Sequence, residues 1–316
     1  MTLVAPLNWG LGHATRCVPI INKLVSQGQQ VIIAADGAAL AFLSQEFPNL
    51  PTIRLSGYKM RYFGGRLLPL ALFLQMPLFA FSILIEHWRL KAIVSRFGIQ
   101  RVVSDNRYGL WNKNTENIIV THQLYIQLPY YLKFLQKPLH SLTQRLLSRF
   151  NQIWVPDYAD ESVSLSGALS HGGRLDSEVR YIGPQSRFNL DAGSDATCPI
   201  PDLLLMLSGP GRQKKRFAKQ VTGNPEHKGN FIMIVGAEPE ADYQIRTGNV
   251  LKINHLPTPE LNRLLLLSPQ IIARSGYSTI MDLHVLKRTA TLVATPGQWE
   301  QIYLCNRIKS QGAERG

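Results

Sequence analysis

The sequence predicts an α/β protein made of two doubly wound, parallel-sheet domains. Three observations lead there. The chain has 316 residues, a length that suits two domains of about 150 residues each. Short apolar runs alternate with helical patterns, as in βαβ units. Each half also opens with an apolar run broken by glycines: Asn8-Trp9-Gly10-Leu11-Gly12-His13 in the first, Ser208-Gly209-Pro210-Gly211 in the second.

In the first half, Thr2–Leu7 reads as a buried strand, followed by a helix from Ala14 to Gln27 with Val18, Ile21, Leu24 and Val25 on one flank. Gln30–Ala35 is the next strand and Ala38–Glu46 the next helix. Arg101–Ser104, Asn117–Thr121 and Gln152–Val155 are further strands, the last closing the first half. In the second half, strands are expected at Leu203–Leu207, Phe231–Val235, Val250–Ile253, Ile271–Ala273 and Thr291–Ala294. Helices are expected over Pro259–Leu267, Tyr277–Leu286 and Trp299–Lys309, with the basic stretch Arg212–Gln220 after the first strand. The Asp-, Gly-, Ser- and Pro-rich segment 188–201 reads as a linker. It divides a domain 1–187 from a domain 202–316. Two such domains facing each other would leave a cleft at the carboxyl ends of their strands, where open α/β sheets bind ligands.

Apolar residues make up 45% of the chain and charged residues 17%, which supports a packed core and excludes disorder. The net charge is +13. It is uneven: residues 1–157 hold 16 Lys and Arg against 6 Asp and Glu. An anionic partner would therefore be met by the first half. Cys17, Cys198 and Cys305 form no CxxC pair, so neither a disulfide framework nor a zinc site is expected. The first residues show no basic stretch followed by an apolar core, so no signal peptide is read and a cytoplasmic location is expected. Leu67–Ile85 is 19 residues without a charge. Pro69 and Pro77 argue against a membrane span and for a helical hairpin, buried or lying on the surface. Arg61, Arg66, Arg89, Lys91 and Arg96 flank it, a setting suited to peripheral attachment on anionic lipid or to an ordinary solvated rim.

Four turns carry residues suited to chemistry. Gly10 and Gly12 let the backbone approach a ligand at a helix N-terminus. His13 beside them suits a general base near neutral pH; helix capping is the competing role. Ser208 and Gly209 could wrap a pyrophosphate with backbone N–H groups. In Arg274-Ser275-Gly276-Tyr277-Ser278-Thr279-Ile280-Met281-Asp282, the hydroxyls surround a helix N-terminus and Asp282 can accept from ribose hydroxyls. In Pro296-Gly297-Gln298-Trp299-Glu300-Gln301, the polar side chains could bond sugar hydroxyls; first-turn capping is the alternative.

RSGYSTIMD and TPGQWEQIYLCN, with NWGLGHATR at the start, resemble GT-B glycosyltransferases related to MurG, the undecaprenyl-pyrophosphoryl-muramoyl-pentapeptide N-acetylglucosaminyltransferase. The resemblance spans both halves in order. It implies a GT-B fold of two facing Rossmann-like domains. It implies donor contacts at Arg274, Ser275, Gly276, Ser278, Thr279 and Asp282, with Asp282 where that family has a longer Glu. Gln301, with Glu300 beside it, matches the glutamine that touches the donor hexose. His255 and Leu256 match the segment whose backbone reads the base. His13 matches the histidine of the first glycine-rich loop. Asp105, Asn106, Arg107, Tyr108, His122 and Gln123 fall on cleft loops expected to bind the acceptor. That family continues past Asn306 with a helix returning to the first domain; either this protein lacks that brace or the sequence is truncated.

The expected activity is inverting transfer of a hexose from a UDP-sugar to a hydroxyl or lipid-linked acceptor. No cofactor or metal is expected, since the sequence holds no Asp-x-Asp triplet. A UDP-sugar 2-epimerase of the same fold and a non-catalytic membrane-surface protein are the alternatives. Nucleic-acid binding has no reader motif to support it.

Overall fold

A computed structural model describes residues 1–57, 68–173, 177–191, 193, 198–209, 211–239 and 243–313. Arg61, Arg66, Leu67 and Pro210 lie outside the described residues. The chain forms two compact units: Met1–Trp9 with His13–Gln185, and Ser186–Gly316 with Gly10–Gly12.

The first unit is built on a seven-stranded parallel sheet. Its strands are β1 Thr2–Pro6, β2 Val31–Ala35, β3 Thr52–Arg54, β4 Arg101–Asp105, β5 Glu116–Val120, β6 Gln152–Val155 and β7 Glu178–Tyr181, in the order β3-β2-β1-β4-β5-β6-β7. β1 and β2 are buried along their whole length, as parallel strands covered on both faces are. The order reverses between β1 and β4, so their carboxyl ends flank the crevice of the sheet. Their register pairs Pro6 with Asp105. β3 and β7 are additions to the strands expected from sequence. Both are edge strands with exposed residues, and so lack the apolar run that marks the others.

Helix α1 spans Leu11–Ser26, three residues earlier than expected. Gly10 turns the chain with φ +86°, a left-handed conformation glycine adopts without strain. His13 therefore lies in the first helical turn. α2 spans Gly37–Glu46.

The expected hairpin is instead one helix, α3, over Leu68–Phe97. Pro77 sits inside it on an exposed face. Losing one backbone hydrogen bond and fitting the ring cost about 3 kcal/mol. The inward side of the helix offsets this. Leu90 is buried in a cluster with Leu3, Ile32, Leu55 and Val102, against which Ile93, Val94 and Phe97 also pack. The helix approaches the loop after β4 so closely that a Cβ on Gly109 would lie 2.5 Å from the Ile83 carbonyl oxygen. Among the described residues, no helix is long and apolar enough to cross a membrane. α4 spans Gln136–Leu147 and follows a 3-10 turn at Tyr130–Leu135.

The second unit holds six strands: β8 Leu203–Met206, β9 Ile232–Val235, β10 Gln244–Thr247, β11 Val250–Ile253, β12 Gln270–Arg274 and β13 Thr291–Val293. Their order is β10-β11-β9-β8-β12-β13. All neighbours are parallel except β10, an exposed antiparallel edge that the sequence reading did not foresee. The helices are α5 Gly211–Thr222, α6 Thr258–Leu267, α7 Tyr277–Val285 and α8 Trp299–Ala313. The described ends of the expected linker are packed in this unit. Phe188 belongs to its core with Leu204, Met233 and Leu264, and Cys198 and Ile200 pack against that core. Asn262 accepts from the Asn189 N–H at 3.1 Å, and Arg263 donates to the Cys198 carbonyl at 3.0 Å. The described ends of the segment are thus anchored despite its polar composition.

Candidate active site

In the first unit, β1 feeds α1 through the Gly10 turn, and β4 ends beside it. This brings His13 and Asp105 together across the sheet crevice. His13 Nδ1 lies 2.8 Å from Asp105 Oδ1, with side chains 16% and 1% exposed. Arg16, one helical turn after His13, donates its Nε to Asp105 Oδ2 at 2.5 Å and its Nη2 to Oδ1. Arg16 Nη2 is 2.8 Å from His13 Nδ1, and Nη1 is 3.4 Å from His122 Nδ1. Cys17 Sγ points at Asp105 Oδ2 from 3.6 Å.

Nδ1 faces both Asp105 Oδ1, which can only accept, and Arg16 Nη2, which can only donate, each at 2.8 Å; the tautomer with its proton on Nδ1 bonds the carboxylate and leaves the Nε2 lone pair as the basic site. Burial alone would push the Asp105 carboxyl up. Arg16 and His13 outweigh it with charge and hydrogen bonds and bring it down to about 2. Burial lowers His13, the Arg16 charge lowers it further, and Asp105 pulls it back up; the balance is below the ordinary histidine value. His13 is therefore neutral at pH 7, the state a base requires.

The acceptor-loop residues divide into two kinds. Asp105 is 1% exposed and its carboxylate is taken up by His13 and Arg16. The Arg107 guanidinium is also buried, 1% exposed, paired with Glu86 on α3 at 3.0 Å, and it donates to the Leu55 carbonyl at 3.0 Å. It anchors the loop to α3. Asn106 between them has φ +53°, a left-handed turn asparagine tolerates better than most residues, and its buried Oδ1 has no partner. Tyr108 is pushed up to about 12 by burial, against a hydrogen bond with the Thr121 side chain. His122 is buried against Arg16. Gln123 is partly exposed, and its N–H donates to Thr121 Oγ1 at 3.1 Å.

In the second unit, the expected donor residues gather at the carboxyl ends of neighbouring strands. Ser208 and Gly209, with Gly209 at φ +95°, follow β8 and precede α5. His255 and Leu256 follow β11. Arg274 ends β12, and Ser275 and Gly276 lead into α7, which carries Ser278, Thr279 and Asp282. Glu300 and Gln301 open α8 after β13. Several side chains already have protein partners. Arg274 donates to the Ala294 carbonyl at 3.0 Å and lies 3.8 Å over the Phe217 ring. Ser275 Oγ donates to the Gln301 carbonyl at 2.8 Å, and Gln301 Oε1 accepts from the Thr295 N–H at 2.8 Å. Leu256 is in the core. These contacts shape the turns.

Asp282 accepts from Ser186 Oγ at 2.6 Å. Burial raises its carboxyl to about 6, only partly opposed by Ser186 and Arg187. His255 is lowered to about 4 by burial and then by Arg187, so it is neutral at pH 7.

Arg16 and Glu86, which hold Asp105 and Arg107, are not among the residues singled out from the motifs. Arg16 had a signal: it stands three residues after His13, hence on the same helix face. Glu86 had a weaker one, as the single acid in residues 58–97.

No family model matches the chain, and no curated protein matches it. Solved structures do. A glycosyltransferase of kitacinnamycin aligns over 98% of this chain and 83% of its own, at 13% identity and TM-score 0.61. A UDP-glucosyltransferase from Polygonum tinctorium aligns over 98% and 82%, at 13% identity and TM-score 0.61. The spinosyn rhamnosyltransferase SpnG, complexed with thymidine diphosphate, aligns over 98% and 90%, at 14% identity and TM-score 0.57. The chain has the GT-B fold that these proteins share.

Proposed function

We propose that the chain is an inverting glycosyltransferase that moves a hexose from a nucleotide sugar, UDP-linked, to a hydroxyl acceptor without a metal ion. The observation that carries this is the neutral His13 held by a sealed Asp105 at the crevice of the first sheet. In this reading the first unit activates the acceptor. Nε2 of His13 takes the hydroxyl proton as the oxygen attacks the anomeric carbon. The bond from that carbon to the diphosphate oxygen breaks, and the nucleoside diphosphate leaves. The second unit holds the donor. The backbone N–H groups at Ser208–Gly209 and at the start of α7 receive the diphosphate charge, and Asp282 accepts from the ribose. Adding a UDP-sugar with and without hydroxyl acceptors tests this. UDP release that requires an acceptor supports transfer; a second sugar product formed without one would show epimerisation instead.

Asp282 supplies a pH test. A carboxyl near 6 binds ribose hydroxyls best when ionised. Uridine affinity should therefore be constant above pH 7 and weaken about tenfold from pH 7 to pH 5. Uridine has no phosphate to confuse the titration. Asp282→Asn should flatten the dependence, whereas a wild-type affinity unchanged down to pH 5 excludes the role. Without ligand the sign is opposite. The raised carboxyl favours the folded state below its ordinary value of 3.8, and this contribution is lost as pH rises through about 6.

We also propose that the first unit works on an anionic lipid surface. α3 exposes Leu78, Phe81, Leu84 and Trp88, the last 75% exposed, and the turn before α4 exposes Tyr130 and Phe134. The Trp111 ring lies 4.2 Å from the His87 ring of α3, tilted by 32°, and 5.3 Å under Arg149, just past α4, which ties the two elements together. Residues 121–150 contain four cations and no acid, and Glu86 of α3 is buried. Apolar side chains among cations suit an interface of anionic headgroups. The protein should float with phosphatidylglycerol vesicles and not with phosphatidylcholine alone, and Phe81→Glu with Trp88→Glu should abolish flotation. Failure to float with anionic vesicles rules the surface out.

A further inference from the structure

The His13–Asp105 pair poses a problem of its own chemistry. A buried carboxylate next to an imidazole favours the protonated imidazolium, which has no lone pair to act as a base. The pair in this protein is not alone. The groups that face it are His13, Arg16 and Cys17 from α1, Asp105 from the end of β4, Tyr108 from the loop beyond it, and His122 after β5. Cys17 is a neutral thiol, since burial pushes it well up, and Tyr108 is a neutral phenol. Arg16 is thus the fixed positive charge of the cluster, and its side chain is 2% exposed.

We infer that Arg16 is the positioning residue of this site: its guanidinium grips both oxygens of Asp105 and presses its charge against His13, which holds the imidazole neutral with the proton on Nδ1. The inference rests on the reading of His13 as base and gives that reading its control of protonation. Two features of the geometry support it. The fork of Arg16 spans Oδ1 and Oδ2, a bidentate arrangement that fixes the carboxylate plane and hence the edge facing His13. The same Nη2 also sits 2.8 Å from Nδ1, so the guanidinium charge lies against the ring and an imidazolium formed there would face a like charge. Arginine meets both demands because it is planar and stays charged when buried.

Nitrogen NMR of protein labelled in histidine with 15N tests this directly. The His13 signal is assigned by its loss in His13→Gln. In the wild type, His13 should be neutral at pH 7, protonated on Nδ1, with a midpoint below 6.5. In Arg16→Met the midpoint should rise by about 1–3 pH units, and in Arg16→Lys, which keeps the charge, most of that rise should be reversed. A general loosening of the fold would not produce this ordering. An unshifted midpoint in Arg16→Met overturns the inference. If that variant does not fold, the wild type decides: a midpoint at or above 6.5, or a proton on Nε2 in place of Nδ1, overturns it as well. The titration uses no substrate, so absence of sugar transfer would refute the proposed reaction and leave this result standing on its own.

Discussion

Replacing His13 with alanine should lower the rate of sugar transfer by about 10²–10⁴-fold, the usual worth of a positioned general base. The loss should appear in kcat, with little change in the KM for the donor, because His13 lies in the first unit and the expected donor turns lie in the second. The fold should be kept. His13 is in the first turn of α1, where alanine is a good helix former, and the Arg16–Asp105 pair beneath it needs no imidazole to be satisfied. In the wild type, kcat/KM should fall on the acid side with a midpoint below 6.5, because burial and Arg16 lower His13. That acid limb should be absent from the residual activity of His13→Ala. Unchanged turnover in the variant would remove His13 from the reaction.

The second large effect is on stability. Glu86→Ala should destabilise the first unit by about 3–5 kcal/mol, the cost of leaving one partner of a buried ion pair alone. Arg107 and Glu86 have side chains only 1% and 6% exposed, so water cannot replace the lost carboxylate. At roughly 2–4 °C per kcal/mol for a domain of this size, the melting point should fall by about 6–20 °C. The pair is not itself a large source of stability. Burial raises Glu86 and Arg107 only partly offsets it, so the ion pair does not fully recover its desolvation. Replacing both together, Glu86→Leu with Arg107→Met, should therefore melt much closer to the wild type than either single loss. The loop that ends at Arg107 begins at Asp105, so Glu86→Ala should also slow transfer. A melting point within 2 °C of the wild type in Glu86→Ala would show that the pair is solvated in solution.

These expectations show what was legible in the sequence. Interior strands such as Val31–Ala35 and Leu203–Met206 are continuous apolar runs, because parallel strands are covered on both faces. Edge strands such as Gln244–Thr247 have no covered face and so no pattern to read. α3 was misread because Pro77 is a strong local breaker, while the packing of Leu90 that outweighs it comes from strands far away in sequence. The turns with glycines were found because they need glycine: Gly10 and Gly209 have left-handed φ. The roles of charged residues were the hardest to see. Asp105 and Arg107 look alike on a polar loop, yet one pairs with His13 and Arg16 and the other with Glu86. Which charge is buried, and against what, is set by α1 and α3, each many residues away.

The most direct test of the account is calorimetry with uridine and thymidine diphosphates against the wild type and Asp282→Ala. The account predicts one saturable site for at least one of these nucleotides, and a loss of affinity of at least about tenfold in the variant, the worth of a charge-assisted hydrogen bond of about 1.5–3 kcal/mol. Absence of binding by both nucleotides, or equal affinity in the variant, would contradict it.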